Sequence, residues 1–219
     1  MFRICTDLYA DPRLSLRLAV DRSKMWTPGQ EIRIAFLDGT NIQMDKTVEY
    51  AEKWLKYANL HFEWVMGKKA QIRISFQRGK GSWSYVGKDA LSIANPNKPT
   101  MNFGWLDNAT PDEEWSRTVI HEFGHMLGAV HEHLSPASGI KWDKTFVYSY
   151  YWQTQNWSKD QVDLNIFQKY DKNISNTEYD PESIMHYPID KSMTLDGYSV
   201  GWNRVLSEQD KDFIREIYS

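Results

Sequence analysis

The run His121-Glu122-Phe123-Gly124-His125-Met126-Leu127-Gly128-Ala129-Val130-His131-Glu132 constrains this chain more than any other stretch. On an α-helix, residues four apart lie one turn above each other on the same face, so His121 and His125 can present imidazole nitrogens to one point. Glu122 is next to the first of them, close enough to act on a water held at that point without being a ligand itself. Gly128 can adopt the left-handed conformation that ends a helix and reverses the chain. That reversal would bring His131 back under the same point as a third ligand. Three protein nitrogens and one open position make a catalytic zinc site, whereas a structural site is closed by four ligands. One Zn2+ per chain is expected. The two-histidine pattern alone also arises on ordinary amphipathic helices, but chance must here supply His121, Glu122, His125, Gly128 and His131 together.

A chain of 219 residues suffices for one sizeable domain or two small lobes sharing a cleft. Its net charge of -3 and scattered basic residues argue against a nucleic-acid partner or an anionic membrane. Cys5 is the one cysteine, which excludes an internal disulfide and a thiolate-rich zinc site. It reads as a bland residue of an N-terminal extension. Residues 1–7 have neither a long apolar core nor a small-residue cleavage site, so no classical signal peptide is expected. No stretch approaches the roughly 20 apolar residues of a membrane span.

Residues 1–25 read as the extension, in which Leu14, Leu16, Leu18 and Val20 alternate with polar residues as an extra strand or an arm. Strands are expected at Ile32–Phe36, Phe62–Val65 and Ile72–Phe76, with a helix capped by Asp45 between the first two. A Gly/Ser-rich loop over residues 79–87 leads to Met101-Asn102-Phe103-Gly104-Trp105, a strand just before the motif helix. Thr110, Pro111 and Glu113 read as that helix's capping box. Beyond Gly128 the chain reads as loop-rich until Ser207 and Asp210 open a terminal helix carrying Phe213, Ile214 and Ile217 on one face.

The extended motif resembles the signature of the metzincin metalloproteases, and Ser183-Ile184-Met185-His186-Tyr187-Pro188 resembles their methionine turn. Within that group the chain is most similar to the astacins. The resemblance rests on Glu132 directly after the third histidine, on Tyr187 in the turn, on Leu206–Lys211 and on Trp83–Gly87. His131–Pro136 with Gly139–Trp142 resembles the disulfide-free microbial branch, and the likeness covers roughly residues 26–219. It implies an α+β, two-lobed catalytic domain. A mixed twisted sheet and the active-site helix form the N-lobe, about 26–128, and a loop-rich C-lobe with a terminal helix spans about 129–219.

The implied activity is zinc-dependent endopeptidase action on a protein or peptide. His121, His125 and His131 would be the ligands, Glu122 the general base, and Tyr187 the phenol that hydrogen-bonds the transition-state oxyanion. Gly128, Glu132 and Met185 would support the site. Met101–Trp105 would be either the exposed edge strand on which substrate adds or an ordinary core strand. His133 and His186 read as structural. In astacins the residue matching Glu132 lies near a freed N-terminus; here the extension leaves too many residues for that, so either cleavage or a local partner is required. Cys5 lacks the context of a cysteine switch, and latency by a propeptide is not expected. Two other readings stand beside the endopeptidase: an effector or toxin protease specific for one host protein, and a non-catalytic metal-binding module. The intact Glu122 favours turnover over the last. A monomer is expected, secreted or delivered to a target cell without a classical signal peptide, with a cytoplasmic place left open.

Overall fold

The alternation of Glu31–Phe36 is realised as strand β2, which buries Ile32 and Ile34 and turns Glu31 and Arg33 outward. In the computed structural model, which describes residues 5–8, 24–67, 69–170 and 178–219, β2 belongs to a six-stranded sheet. Its other strands are β1 (Thr6–Leu8), β3 (His61–Trp64), β4 (Ile72–Ser75), β5 (Ser82–Tyr85) and β6 (Met101–Phe103). Their order is β1-β5-β6-β4-β2-β3, and every pairing is parallel except that of β5 with β6. The alternating leucines expected at positions 14–18 lie outside the described residues.

All four residues of β4 are buried, Arg73 and Ser75 included. Buried polar groups need partners. The Arg73 guanidinium donates to the carbonyls of Lys98, Ala70 and Ile93, and Ser75 donates to Asn102 Oδ1 at 2.7 Å. Asn102 in turn donates to the Gly81 carbonyl at 2.6 Å, tying β6 to the start of β5.

Three expectations need correction. Helix α1 spans Asn41–Ala51 and is capped by Thr40, not Asp45, because Thr40 and Gln43 satisfy each other's backbone N–H in a capping box. Helix α2, Asp112–Met126, starts after Pro111 without a side-chain cap. The Thr110 hydroxyl is taken by the Asp107 N–H at 2.9 Å, and Asp112, Glu113 and Glu114 face the positive helix end instead. The segment expected to be loop-rich contains α3 (Lys144–Gln155), capped by Asp143 and ended by left-handed Asn156, and the short α4 (Lys159–Val162).

The two lobes are visible as two cores. The sheet, α1 and α2 share one that includes Trp26, Trp54, Trp115, Val119, Phe123 and Met126. Indole N–H groups of Trp54 and Trp26 donate to the α2 carbonyls of Ile120 and Met126. In the second core Val147, Tyr151, Val162 and Ile166 meet Tyr187, Ile189, Met193 and Val200. The terminal helix α5, Glu208–Ile217, opens with the expected Ser207 box and packs Ile214 into the first core. Among the described residues no helix is long and apolar enough to cross a membrane.

Asp210 joins α5 to the turn at 183–188. Its buried carboxylate accepts from the Ser207 N–H, the Ser183 hydroxyl at 2.7 Å and the Ile184 N–H at 2.8 Å. Asp210→Ala is expected to cost about 2–4 kcal/mol in urea unfolding, a lost cap plus lost charge-assisted bonds. The exposed Asp212→Ala on the same helix should stay within about 0.5 kcal/mol. Equal losses in the two variants would show that Asp210 does not hold the turn.

Candidate metal centre

Helix α2 delivers His121 and His125 one turn apart, and both rings are buried. Gly128 has φ +97°, the reversal expected of it, and an added Cβ would strike the Met25 sulfur at 2.3 Å. The chain then returns His131 beneath the helix. Its Nε2 lies 3.3 Å from that of His121 and 3.1 Å from that of His125.

The roles of the two helical rings follow from the partners on their other side. His121 Nδ1 faces the Ile184 carbonyl at 2.8 Å and His125 Nδ1 faces the Ala129 carbonyl at 2.9 Å. A carbonyl can only accept, so both Nδ1 atoms carry the proton and both Nε2 atoms present lone pairs. These two lone pairs and the His131 Nε2 converge at a spacing that suits a bound cation. Nitrogens bound to tetrahedral zinc at about 2.05 Å would stand about 3.3 Å apart, which matches. Among the described residues these three histidines are the one group of ligating side chains close enough to share an ion. Carbonyl acceptors behind ligand histidines are the usual way to fix the tautomer.

Met185 lies below the helix, where Gly124 makes room for it: a Cβ at Gly124 would sit 2.4 Å from the Met185 sulfur. Sequence reasoning passed over Gly124, although a glycine inside a helix is itself a signal of close approach. Glu122 is fully buried beside His121. Tyr187 packs its ring against His131, with centroids 4.2 Å apart. Glu132 finds a local partner: its carboxylate accepts the Asp180 N–H at 3.1 Å, and its own N–H donates to the Met185 carbonyl. Burial, opposed by that bond, lifts the Glu132 carboxyl to about 7.

The substrate-edge expectation must be revised. Met101–Phe103 forms β6, fully buried between β5 and β4, and Gly104 and Trp105 lie beyond it in a turn. The outermost strand on this side of the sheet is β1, and it covers in parallel register what would otherwise be the edge strand, β5, a stretch read from sequence as a loop.

Cys5, read as a bland residue, is also corrected. It is buried at the site, and the Tyr187 hydroxyl donates to its carbonyl. Burial first, and then the Glu122 carboxylate that it contacts, push its thiol well above the ordinary range. Cys5 lines a cavity of about 10 Å³ together with Arg117, His121, Tyr187 and Trp202, room for one water at most. Arg117, one turn before His121, is held there by Glu114 at 2.6 and 2.9 Å and stacks over Trp202.

A buried three-histidine centre above a methionine turn, set on a helix beneath a mixed sheet, defines a metallopeptidase domain of the metzincin kind. The chain belongs to the astacin peptidase family, whose family model matches residues 19–218. Two structures of myroilysin resemble it. One is 48% identical, covers 90% of this chain and 96% of its own, with a TM-score of 0.87; the other is 44% identical over 99% and 90%, at 0.72. High choriolytic enzyme 1, a hatching enzyme zinc-protease from Oryzias latipes, shares the fold at 16% identity, covering 94% of this chain and 95% of its own at a TM-score of 0.59. Protein SpAN of Strongylocentrotus purpuratus is 31% identical over 117 residues, which are 52% of this chain and 16% of that protein.

The centre gives the fold a pH dependence. Burial holds His121 and His133 well below the ordinary imidazole value and His186 at about 4. A depressed imidazole contributes its full stability above the unfolded value near 6.5 and loses it as pH falls. Glu132 acts oppositely, its contribution being lost as pH rises through about 7, and buried Asp210 has the same sign. With Glu132 made neutral by Glu132→Gln that opposition is removed, so the melting temperature of the metal-free variant should fall more between pH 7 and pH 5 than that of the parent chain. An equal or smaller fall would contradict the raised Glu132 value.

Proposed function

We propose that this chain is a zinc-dependent endopeptidase, with His121, His125 and His131 as the zinc ligands. The observation that carries the reading is the convergence of three histidine Nε2 atoms at 3.1–3.3 Å beside the buried Glu122. Bound there, zinc supplies a Lewis acid that polarises the scissile carbonyl and makes water acidic enough to attack near neutral pH. Glu122 accepts the proton of the attacking water on its carboxylate and passes it to the leaving nitrogen. The Tyr187 hydroxyl donates to the oxyanion as negative charge develops on the former carbonyl oxygen. Gly128 and Met185 hold the ligands in place, and Glu132 ties the third ligand's loop to the turn below. The catalytic domain is residues 26–219, with Met25 and Trp26 already packed into its core. Nothing in the fold favours a single host protein as substrate, and the buried carboxylate beside the triad speaks against a non-catalytic module.

Zinc content and cleavage of a denatured protein test the reading. Glu122→Ala should keep one zinc per chain and lose about 10²–10⁴ in kcat/KM. Equal activity in that variant would sink the mechanism.

Substrate backbone would add to β5, the sheet edge next to the triad. In this chain β1 takes that edge, Cys5 lines the adjoining cavity and its carbonyl engages Tyr187. This supports a form whose cleft is held by residues 5–8. A chain starting at Lys24, whose ammonium pairs with Asp89, is expected to gain at least about tenfold in kcat/KM over the whole chain. No gain would show that the segment yields to substrate unaided.

A further inference from the structure

Two buried histidines stand outside the ligand triad, and both face Tyr187. The ring of His133 stacks on that of Tyr187, with centroids 4.3 Å apart and planes within 21°. Tyr187 therefore packs against both His133 and His131, whose own rings are in contact. His133 Nε2 lies 2.8 Å from the Asn165 carbonyl, which fixes the plane of the His133 ring. The second histidine acts through the backbone: His186 Nδ1 is 2.6 Å from the carbonyl of Tyr187.

The donors along this path can be assigned without ambiguity. A carbonyl cannot donate, so His186 Nδ1 carries the proton. Burial keeps the ring neutral near pH 7, its value being lowered to about 4, so Nε2 is an acceptor. The Tyr179 hydroxyl, 2.6 Å from Nε2, must then donate to it. Having given its one proton there, the Tyr179 oxygen accepts from the Tyr198 hydroxyl at 3.0 Å. The chain of donors runs one way, from Tyr198 through Tyr179 and His186 to the peptide carbonyl of Tyr187. Each link is part-buried or buried, where a missing partner costs more than at the surface.

We propose that Tyr179 and His186 are positioning residues that set the place of the Tyr187 phenol against the metal centre. The bond from His186 fixes the peptide plane from which the Tyr187 side chain departs, and Tyr179 fixes the His186 ring. His133, stacked on the ring, then fixes the plane of the phenol. Neither Tyr179 nor His186 has to touch substrate. This rests on the reading of Tyr187 as the oxyanion donor, and the test separates the two ideas.

Tyr179→Phe keeps the ring and removes the donor. In the zinc-loaded chain it should lower kcat by about five- to tenfold with KM within about twofold, the loss expected of one hydrogen bond. In a Tyr187→Phe background the same change should have no further effect on kcat, because its action passes through Tyr187. An equal fall in both backgrounds would overturn the proposal and leave Tyr179 a structural residue.

The relay is also read without zinc or turnover. Nitrogen-15 NMR of labelled histidines in the metal-free chain should show His186 protonated at Nδ1 and bare at Nε2. The Nε2 signal should move in Tyr179→Phe as its donor is lost. A His186 protonated at Nε2, or an Nε2 signal unmoved in the variant, would overturn the relay. If Tyr187→Phe alone leaves kcat unchanged, Tyr187 is not the oxyanion donor and the positioning role falls with it. The nitrogen signals would in that case still report whether the hydrogen-bond path itself is present.

Discussion

Three buried imidazoles bring their Nε2 atoms to one spot, and backbone from distant parts of the chain holds them there. Each of the two helical histidines is turned by a single backbone carbonyl, Ile184 for His121 and Ala129 for His125. Neither acceptor belongs to a regular element. Ala129 follows the Gly128 reversal, and Ile184 sits in a turn whose N–H and neighbouring hydroxyl are fastened to Asp210. Asp210, the box partner of the Ser207 cap, therefore has two duties, one local and one at the turn 26 residues upstream that aims His121. The converging histidines are few, but the backbone that aims them draws on distant parts of the domain.

The methionine turn lies where the two cores meet. Met185 belongs to the core around α2 and the sheet, and Tyr187, two residues on, belongs to the second. A stretch of three residues thus couples both lobes to the same ion position. Gly124 permits this by giving up its side chain to the Met185 sulfur. Bulk added there would push the turn away from the helix, and with it the carbonyl that aims His121.

The sequence made the parts with local signals legible. The motif helix, the Gly128 reversal and the Ser207 box each announce themselves within a few residues, and the structure carries all three. Strand β5 was hidden because its pattern is inverted: Ser82 and Ser84 are buried, whereas Trp83 and Tyr85 are only part-buried. A hydropathy reading looks for the opposite. Helix α3 buries just Val147 and Tyr151, a stripe too narrow to stand out among its aromatics. Cys5 could not be placed at all, since its surroundings come from residues more than a hundred positions away. The carbonyls of Ile184 and Ala129 were invisible for another reason, as every residue has one.

The short strand β1 has a colloidal side as well. An unpaired strand edge is a template for any extended chain, and proteins blunt such edges by covering them or keeping them short. Here the cover is part of the same molecule, laid in parallel register along Trp83, Ser84 and Tyr85. A bare β5 would offer those backbone groups equally to a peptide to be cut and to an unfolded stretch of another copy. Solubility and reactivity thus share one short edge, and uncovering it changes how the protein associates with its own kind as well as what it can bind.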